Sequence, residues 1–383
     1  MPASAPEPGA AIGASPVEVS VGRGFAALDA LAGEWAELAG QEGAGPLTGP
    51  DWIMAHARAF EREAAVRVLA ARAGGRLTGV LPLVGEWGWR SGIPLPMLRA
   101  AAGGCCLRFD LCCAPGAPGE AAVAALWRAL AATTGWTCLE LREVPAGGHA
   151  ERLQALAAAD GYRVGRWPSM RSPWIPLQGA AAGLSPGLQD TTPHFRAKLR
   201  RTRRRLEELG RLRWEAVTEP SGDDLDAFFA LEAAGWKGRR GGNAVLVKPE
   251  AQRRFYRALA LAAARHGRFV LHRLWLDDRV IAASFGLRDR TGLYAVRWCY
   301  DESFAKYGPG HLMIEAMVRE SVALGLPRFD FTGPDFAYKR DWTGHALEHA
   351  FLYIMRPSPA GRLLHRLKFS GAARRRERPA IAG

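Results

Sequence analysis

The chain has 383 residues, of which 48% are hydrophobic and 23% charged, and its formal net charge is +13. This composition excludes wholesale disorder, collagen and coiled coil, and the length leads us to expect two domains, each large enough to bury a core without disulfides. The most apolar run, residues 121–132, is broken by Arg128 and falls well short of the roughly 20 residues that cross a bilayer.

The charge is concentrated. Residues 194–213 hold nine Lys/Arg against two Glu, and residues 356–378 hold eight against one. Each segment carries +7, so the rest of the chain is close to neutral. Nucleic acid, anionic lipid or an anionic cofactor could meet such segments. Residues 1–16 are rich in Ala, Pro, Gly and Ser, without the basic start and apolar stretch of a signal peptide; a disordered lead-in over residues 1–20 and a cytoplasmic protein are expected. The cysteines (the pairs Cys105-Cys106 and Cys112-Cys113, then Cys138 and Cys299) lack CxxC spacing, which points to free thiols and no zinc site.

Taken in chain order, Phe25, Leu28, Leu31, Trp35 and Leu38 recur at helical spacing, and Pro50 begins a second helix over residues 51–60. Residues 66–72 and 76–84 read as strands around Gly74-Gly75, a hairpin signal. A helix over 119–133, a strand over 137–144, a helix over 149–159 and extended segments over 162–167 and 173–177 complete the first half. Residues 178–189, Ala/Gly-rich around Pro186, read as a linker. The second half opens on a basic helix over 192–209, with Pro193 in its first turn and Leu199 and Leu206 on one face. Then come a strand over 212–217 and a helix over 221–234, whose Ser221 and Asp224 form an acidic variant of the capping box. A helix over 249–266, strands over 268–276, 280–288 and 293–300, a helix over 309–324 and strands over 328–332 and 347–354 follow. Both halves therefore show helices, a β-hairpin, then a helix and a strand, which predicts two similar α/β domains side by side.

The turn Lys306-Tyr307-Gly308-Pro309-Gly310-His311 stands between a strand and a helix. Free amides and the helix dipole at such a start suit an anion such as a pyrophosphate. Gly308 and Gly310 let the backbone come close, Pro309 wastes no needed donor, and Lys306 adds a cation. An ordinary helix start with turn glycines is the alternative reading. Trp236-Lys237, in a glycine-bracketed loop, could line a cleft or simply pack and solvate. Asp330 lies between Phe329 and Phe331 in an apolar strand, where a carboxylate must be paired, protonated or functional. Asp335, Tyr338 and Lys339 sit on the loop beyond it, where ligands approach the strand ends of open α/β sheets. Asp330 or Asp335 could serve as base and Tyr338 as acid; a salt bridge from Asp330, to Arg297 for instance, is the structural alternative. His345 and His349 lack an evident third ligand, so no metal is expected.

Strands, a glycine-bearing turn, a helix and another strand resemble the acyl-CoA-binding half of the GNAT acyltransferase superfamily. Within it, Gly235-Trp236-Lys237-Gly238-Arg239, Tyr300-Asp301-Glu302 with Phe304-Ala305, the Tyr307–His311 turn, and Asp330-Phe331 followed by Gly333 resemble the CelD-like acetyltransferase branch, whose relatives are the Fem-type aminoacyl transferases. The resemblance covers about residues 188–353. It implies an α/β fold of two tandem GNAT-like domains with mixed sheets flanked by helices, placed at residues 21–177 and 192–355 on either side of a linker at 178–191, with a basic tail from 356. It implies acyl transfer from acyl-CoA, used as co-substrate without a metal, to an amine, or else a hydroxyl, of a sugar, lipid or cell-envelope precursor. Lys306, Tyr307, Gly308, Gly310 and His311 would bind the donor; Trp236, Lys237 and Arg297 the acceptor; Asp330, Asp335 and Tyr338 would carry the chemistry. The alternatives are an aminoacyl-tRNA-dependent transferase, with the basic helix gripping RNA, and a non-catalytic basic binding protein. The basic tail, with Leu363, Leu364, Leu367 and Phe369 among cations, suggests either contact with an anionic membrane surface at its cytoplasmic face or a frayed, solvated end.

Overall fold

The computed structural model describes residues 16–41, 45–90, 92–179, 187–235 and 249–369. The first half contains β1 (Val17–Arg23), α1 (Gly24–Ala39), α2 (Pro50–Phe60), β2 (Val66–Ala73), β3 (Arg76–Arg90), β4 (Ile93–Ala100), β5 (Cys112–Cys113), α3 (Ala117–Ala132), β6 (Cys138–Pro145), α4 (His149–Ala159) and β7 (Arg163–Pro176). The second contains α5 (Pro193–Glu207), β8 (Leu212–Val217), α6 (Gly222–Ala234), α7 (Pro249–Arg265), β9 (Phe269–Leu276), β10 (Arg279–Asp289), β11 (Gly292–Tyr300), α8 (Pro309–Ala323), β12 (Arg328–Asp330), α9 (Ala337–Arg340), β13 (Ala346–Met355) and α10 (Pro359–Phe369).

Local chemistry explains most of these boundaries. In α1 the spaced Leu28, Leu31, Trp35 and Leu38 are all buried. Thr192 caps α5 by accepting from the Phe195 amide, and Phe195, Leu199 and Leu206 form its buried stripe. Ser221 and Asp224 exchange hydrogen bonds at the start of α6, 3.1 Å from the Asp224 amide to Ser221 Oγ and 2.9 Å from the Ser221 amide to Asp224 Oδ2, as the capping box requires.

Three elements depart from the sequence reading. Val17–Arg23, whose first four residues fall in the expected disordered lead-in, is an edge strand paired antiparallel with β2; its short Val alternation is overshadowed by the small-residue run before it. β3 runs past residue 84 to pair with β4, which the Pro94 and Pro96 positions conceal. The two extended segments around Pro168 and Pro173 are one 14-residue strand, β7.

All strands join one sheet in the order β1-β2-β3-β4-β6-β13-β7-β12-β11-β10-β9-β8, with β5 beside β3. The halves repeat one plan: antiparallel ribbons β1–β4 and β8–β11, each followed by a helix and a parallel strand, β6 or β12. At the centre the strands are exchanged. β13, from late in the chain, pairs with β6, whereas β7, from the first half, pairs with β12; β13 and β7 also pair with each other. Trp52 and His56 of α2 meet Phe255 of α7 edge-on, with ring centroids at 5.1 and 5.9 Å, and tie the halves on one face.

A buried ion pair also crosses the halves: Arg108 Nη2 donates to Asp330 Oδ2 over 2.9 Å, and Asp330 is 1% exposed. Removing one member strands the other charge in the interior, which typically costs about 3–5 kcal/mol. Arg108→Ala is therefore expected to lower unfolding free energy by about that much in urea titrations. The double change Arg108→Met with Asp330→Leu should recover most of the loss; an Arg108→Ala variant as stable as wild type would show that the pair contributes nothing.

Candidate active site

The opening in the sheet lies between β11 and β12. The two strands share only two rungs, Leu293 with Phe329 and Tyr294 with Asp330. β11 continues to Tyr300, while the other chain turns away through Thr332 and Gly333, both left-handed at φ 49° and 57°. The Thr332 hydroxyl donates to the Ala295 carbonyl over 2.7 Å, standing in for the next backbone bond. On the far side Phe331 N donates to the Pro173 carbonyl, so β12 follows β7 and leaves β11. Trp298 meets Tyr338 edge-on at 5.0 Å beside this opening.

The helix that starts here is α8. A 3-10 turn over Glu302–Tyr307 ends at Gly308, whose φ of 64° and ψ of 44° strongly favour glycine. No side chain caps the helix and no acidic residue stands in its first turn. At Gly310 a Cβ would come within 3.0 Å of the Trp298 ring, so the backbone lies close against that wall. His311 Nδ1 accepts from Trp342 Nε1 over 3.2 Å, which places the proton of a neutral imidazole on Nε2. Burial, with Lys198 nearby, lowers the His311 pKa to about 4, so Nε2 remains an uncharged donor at neutral pH.

The basic helix α5 packs beside this start. Arg203 pairs with Glu315 of α8 over 3.0 Å, Arg205 lies 5.1 Å over the Tyr307 ring, and Lys306 lies 5.0 Å over the same ring. Arg200, Arg201, Arg204 and Arg205 are exposed. The Gly308 and His311 amides donate to the Ala305 and Gly308 carbonyls at 3.0 and 3.1 Å and Pro309 has no amide hydrogen, so it is the Gly310 amide, the helix dipole and several cations that converge on one spot, which favours an anion. The corresponding start of α3 differs. Gly116 is left-handed there too (φ 67°), but Glu120 occupies the first turn and a Cβ on Gly119 would lie 1.9 Å from the Ala114 carbonyl oxygen. That start is acidic and filled with its own chain.

The other sequence candidates are distributed as follows. Both Asp330 oxygens are engaged, Oδ2 by Arg108 and Oδ1 by the Thr332 amide at 2.9 Å. Its ion-pair partner is Arg108 rather than Arg297, which pairs with Glu232 over 2.6 Å and donates to Tyr256 over 3.3 Å. Asp335 Oδ2 lies 3.5 Å from both Arg171 and Arg340, and its Oδ1 has no hydrogen-bond partner among the described residues. Burial raises the Tyr338 pKa well above the usual phenol value, which keeps its proton on. Lys339 is buried and donates to the Thr332 and Pro334 carbonyls at 2.6 and 2.7 Å, stapling the loop. Trp236 and Lys237 lie outside the described residues. Among those residues no group of three or more metal-ligating side chains occurs. Burial pushes the Cys105 and Cys112 thiols up to about 11 and 12, which makes them poor nucleophiles.

Sequence reasoning missed a polar layer on the other side of the Asp330 pair. Cross-strand register puts Asp330 and Ser172 on one face of the sheet, because Asp330 faces Trp174 two residues from Ser172, and His349 lies near enough to feel the charges of Arg108 and Asp330. The pairing of β13 shifts register near His349, between Glu348 and Ala350 towards β7 and between Ala350 and Leu352 towards β6, and Glu143, two residues from its partner Pro145, has φ 53°. His349 Nδ1 lies 3.1 Å from the Glu143 carbonyl oxygen and so donates to it. Its Nε2, Ser172 Oγ and Arg108 Nε are buried without hydrogen-bond partners among the described residues. Each such atom costs roughly 1–3 kcal/mol, and irregular strands carrying such atoms are a mark of functional sites. The only sequence signal was the His345/His349 spacing; the register shift that matters is invisible in it. A cavity of about 460 Å³ among α1, α2 and α7, lined by residues such as Ala32, Asp51, Met54 and His266, shares no residue with this region.

Three histidines are held neutral by burial: His311 and His349 at about 4, with Lys198 and Arg108 adding to the effect, and His56 at about 3, helped by Arg99. Unfolded, each would titrate near 6.5. Their contribution to stability is complete above pH 6.5 and is lost as pH falls towards 4, because the unfolded chain then binds up to three more protons. Unfolding free energy measured in urea is expected to drop with a slope approaching roughly 4 kcal/mol per pH unit near pH 5 from these groups. His349→Gln should reduce that slope by about a third; an unchanged slope would mean that His349 does not resist protonation.

No curated protein sequence matches the chain significantly. The fold is similar to the crystal structure of FemX, at a TM-score of 0.60 and 14% identity over 91% of this chain and 100% of that one. It is also similar to the C-terminal DUF2156 domain of a protein named as a lysylphosphatidylglycerol synthetase from Agrobacterium fabrum (TM-score 0.55, 12% identity, 88% and 95% covered). L-PGS from Bacillus licheniformis gives 0.54 and 13%, with 90% and 98% covered. At these identities the likeness concerns the fold alone. Residues 193–340, which carry α5, the β11–β12 opening and the start of α8, match the family model of the acetyltransferase (GNAT) domain. The chain is thus an α/β protein of two similarly built halves, and the second half matches the acetyltransferase (GNAT) domain over residues 193–340.

Proposed function

We propose that the protein transfers an acyl group from an acyl-CoA thioester to an amine of a sugar, lipid or envelope-polymer precursor. The observation that carries this reading is the start of α8: uncapped, free of acid, and flanked by the cations of α5. The resemblance of the Tyr300-Asp301-Glu302 and Asp330-Phe331 motifs to the CelD-like branch supports it. Lys306, Tyr307, the Gly310 amide in the turn set by Gly308, and His311 Nε2 would hold the pyrophosphate. The pantetheine arm would lie in the opening beside β11, with its thioester near Ala295 and Thr332. The bound donor supplies an already activated carbonyl, so the protein's contribution is orientation and proton transfer.

The acceptor would enter between the halves, where Arg108 Nε, Ser172 Oγ and His349 Nε2 offer it polar contacts; Trp236 and Lys237 are further acceptor residues on the resemblance. With Asp330 bound to Arg108, Asp335 is the better proton acceptor for the attacking amine. As the N–C bond forms and the C–S bond breaks, Tyr338 gives its proton to the departing thiolate and is reprotonated through solvent. A hydroxyl acceptor would use the same groups. The exposed arginines of α5 favour one second reading, an aminoacyl-tRNA donor gripped by that helix. Work on the cytoplasmic side of a membrane fits either donor.

Titration calorimetry with coenzyme A, acetyl-CoA and tRNA separates the two. Coenzyme A is expected to bind, and Gly308→Val to weaken it at least about tenfold, an energy of about 1.4 kcal/mol, while leaving circular dichroism unchanged. No heat at millimolar coenzyme A would falsify the acyl-CoA reading. Tight, steeply salt-dependent tRNA binding lost on charge reversal at Arg200, Arg201, Arg203 and Arg204 would establish the second.

A further inference from the structure

β12 pairs with β11 at Leu293–Phe329 and Tyr294–Asp330 and then stops, although β11 runs on to Tyr300. Pairing would continue unless something ended it, because a backbone group left unbonded inside a sheet is costly. Backbone groups of successive strand residues point to opposite sides. The Phe331 amide donates to Pro173 beside β12, so the Thr332 amide would by alternation face β11 and take the Ala295 carbonyl. Thr332 is instead left-handed at φ 49°, and its backbone groups are used within its own segment. Its amide donates to Asp330 Oδ1 over 2.9 Å and its carbonyl accepts from Lys339 Nζ over 2.6 Å. Its hydroxyl then donates to the Ala295 carbonyl over 2.7 Å, in place of its own amide.

A β-branched residue is strained at such a φ and keeps it only where its surroundings over-determine it. Here they do, and Asp330, Thr332 and Lys339 are all buried. Glycine would adopt this backbone without strain, but it has no hydroxyl for the Ala295 carbonyl. Without that bond the carbonyl would be stranded, or would draw the Thr332 amide back into pairing and narrow the opening. Asp330 is in turn held from the first half by Arg108 Nη2 at 2.9 Å. A chain of contacts thus runs from Arg108 through Asp330 and Thr332 to the last rung before the opening.

We propose that Thr332 is a positioning residue for the donor: its hydroxyl, with its amide held by the Asp330–Arg108 pair, fixes where β12 leaves β11 and so where the arm of an acyl-CoA is gripped. The first half governs donor binding through Arg108, although it contributes none of the residues assigned to the pyrophosphate. This inference rests on the acyl-CoA reading, and its test separates the arm from the diphosphate.

Titration calorimetry of the full chain with coenzyme A, and with ADP, which carries the diphosphate but no arm, supplies that test. Thr332→Val keeps the branched side chain and loses only the hydroxyl. It is expected to weaken coenzyme A about tenfold and to leave ADP unchanged. Thr332→Ser, which retains the hydroxyl, should bind both within about twofold of wild type. Arg108→Met with Asp330→Leu restores stability without restoring the anchor for the Thr332 amide, and should show the same split as Thr332→Val. Thr332→Val protein that binds coenzyme A as wild type does would overturn the proposal. So would equal losses for coenzyme A and ADP, the mark of a purely structural role. A double variant with wild-type coenzyme A binding would overturn the control from the first half. Wild-type protein that binds coenzyme A no more tightly than ADP would overturn the proposal while leaving the diphosphate site in place; wild-type protein that binds neither would remove the acyl-CoA reading, and this inference with it.

Discussion

The exchange of strands at the middle of the sheet is the constraint on which the rest depends. A strand buried in a sheet needs partners for its backbone groups on both sides. β12 is three residues long and has only two rungs with β11, so its other edge must be satisfied from elsewhere. β7 supplies that edge from the first half, while β13 returns from the second half to fill the place between β6 and β7. Neither half can complete its sheet alone. The same exchange opens the site. Pairing along Trp174–Pro176 and the bond from Phe331 to Pro173 draw the chain towards β7, and β11 is left with a free side beyond Ala295. The cleft is thus a consequence of how the sheet is closed.

The two halves share a plan but have diverged in chemistry. Each has a left-handed glycine before its main helix and a left-handed residue without glycine's freedom near the end of its parallel strand, Glu143 within β6 in one half and Thr332 just beyond β12 in the other. In the second half the helix start is free of acid and lies beside a basic helix. In the first, Glu120 and the packed Ala114–Gly119 segment occupy the equivalent place. The first half instead contributes Arg108, Ser172 and the Glu143 carbonyl that orients His349. One half therefore presents features suited to an anion, and the other contributes polar groups around Asp330 and His349.

Much of this was legible in the chain. Periodicity located α1, α5 and the β9–β11 ribbon, and the Ser221–Asp224 spacing announced its cap, because these depend on neighbours within a turn or a strand. The 306–311 turn was legible for the same reason: a left-handed glycine, a proline and a second glycine are local chemistry. The meaning of single polar residues was not. Asp330 in an apolar strand had to be paired, but its partner stands 222 positions away and belongs to the other half. His349 looked like half of an unconvincing metal pair, since the register shifts that isolate its Nε2 exist only once three strands are aligned.

By itself, then, the sequence determined most of the secondary elements, the repeated order of the two halves and the glycine-proline-glycine turn before α8, all set by contacts between residues close in the chain. The tertiary structure alone decided which strands are exchanged, that Arg108 rather than Arg297 neutralises Asp330, and that the basic helix lies against the start of α8. Those outcomes come from pairing distant segments, where burial and backbone hydrogen bonding choose among partners that local spacing cannot tell apart.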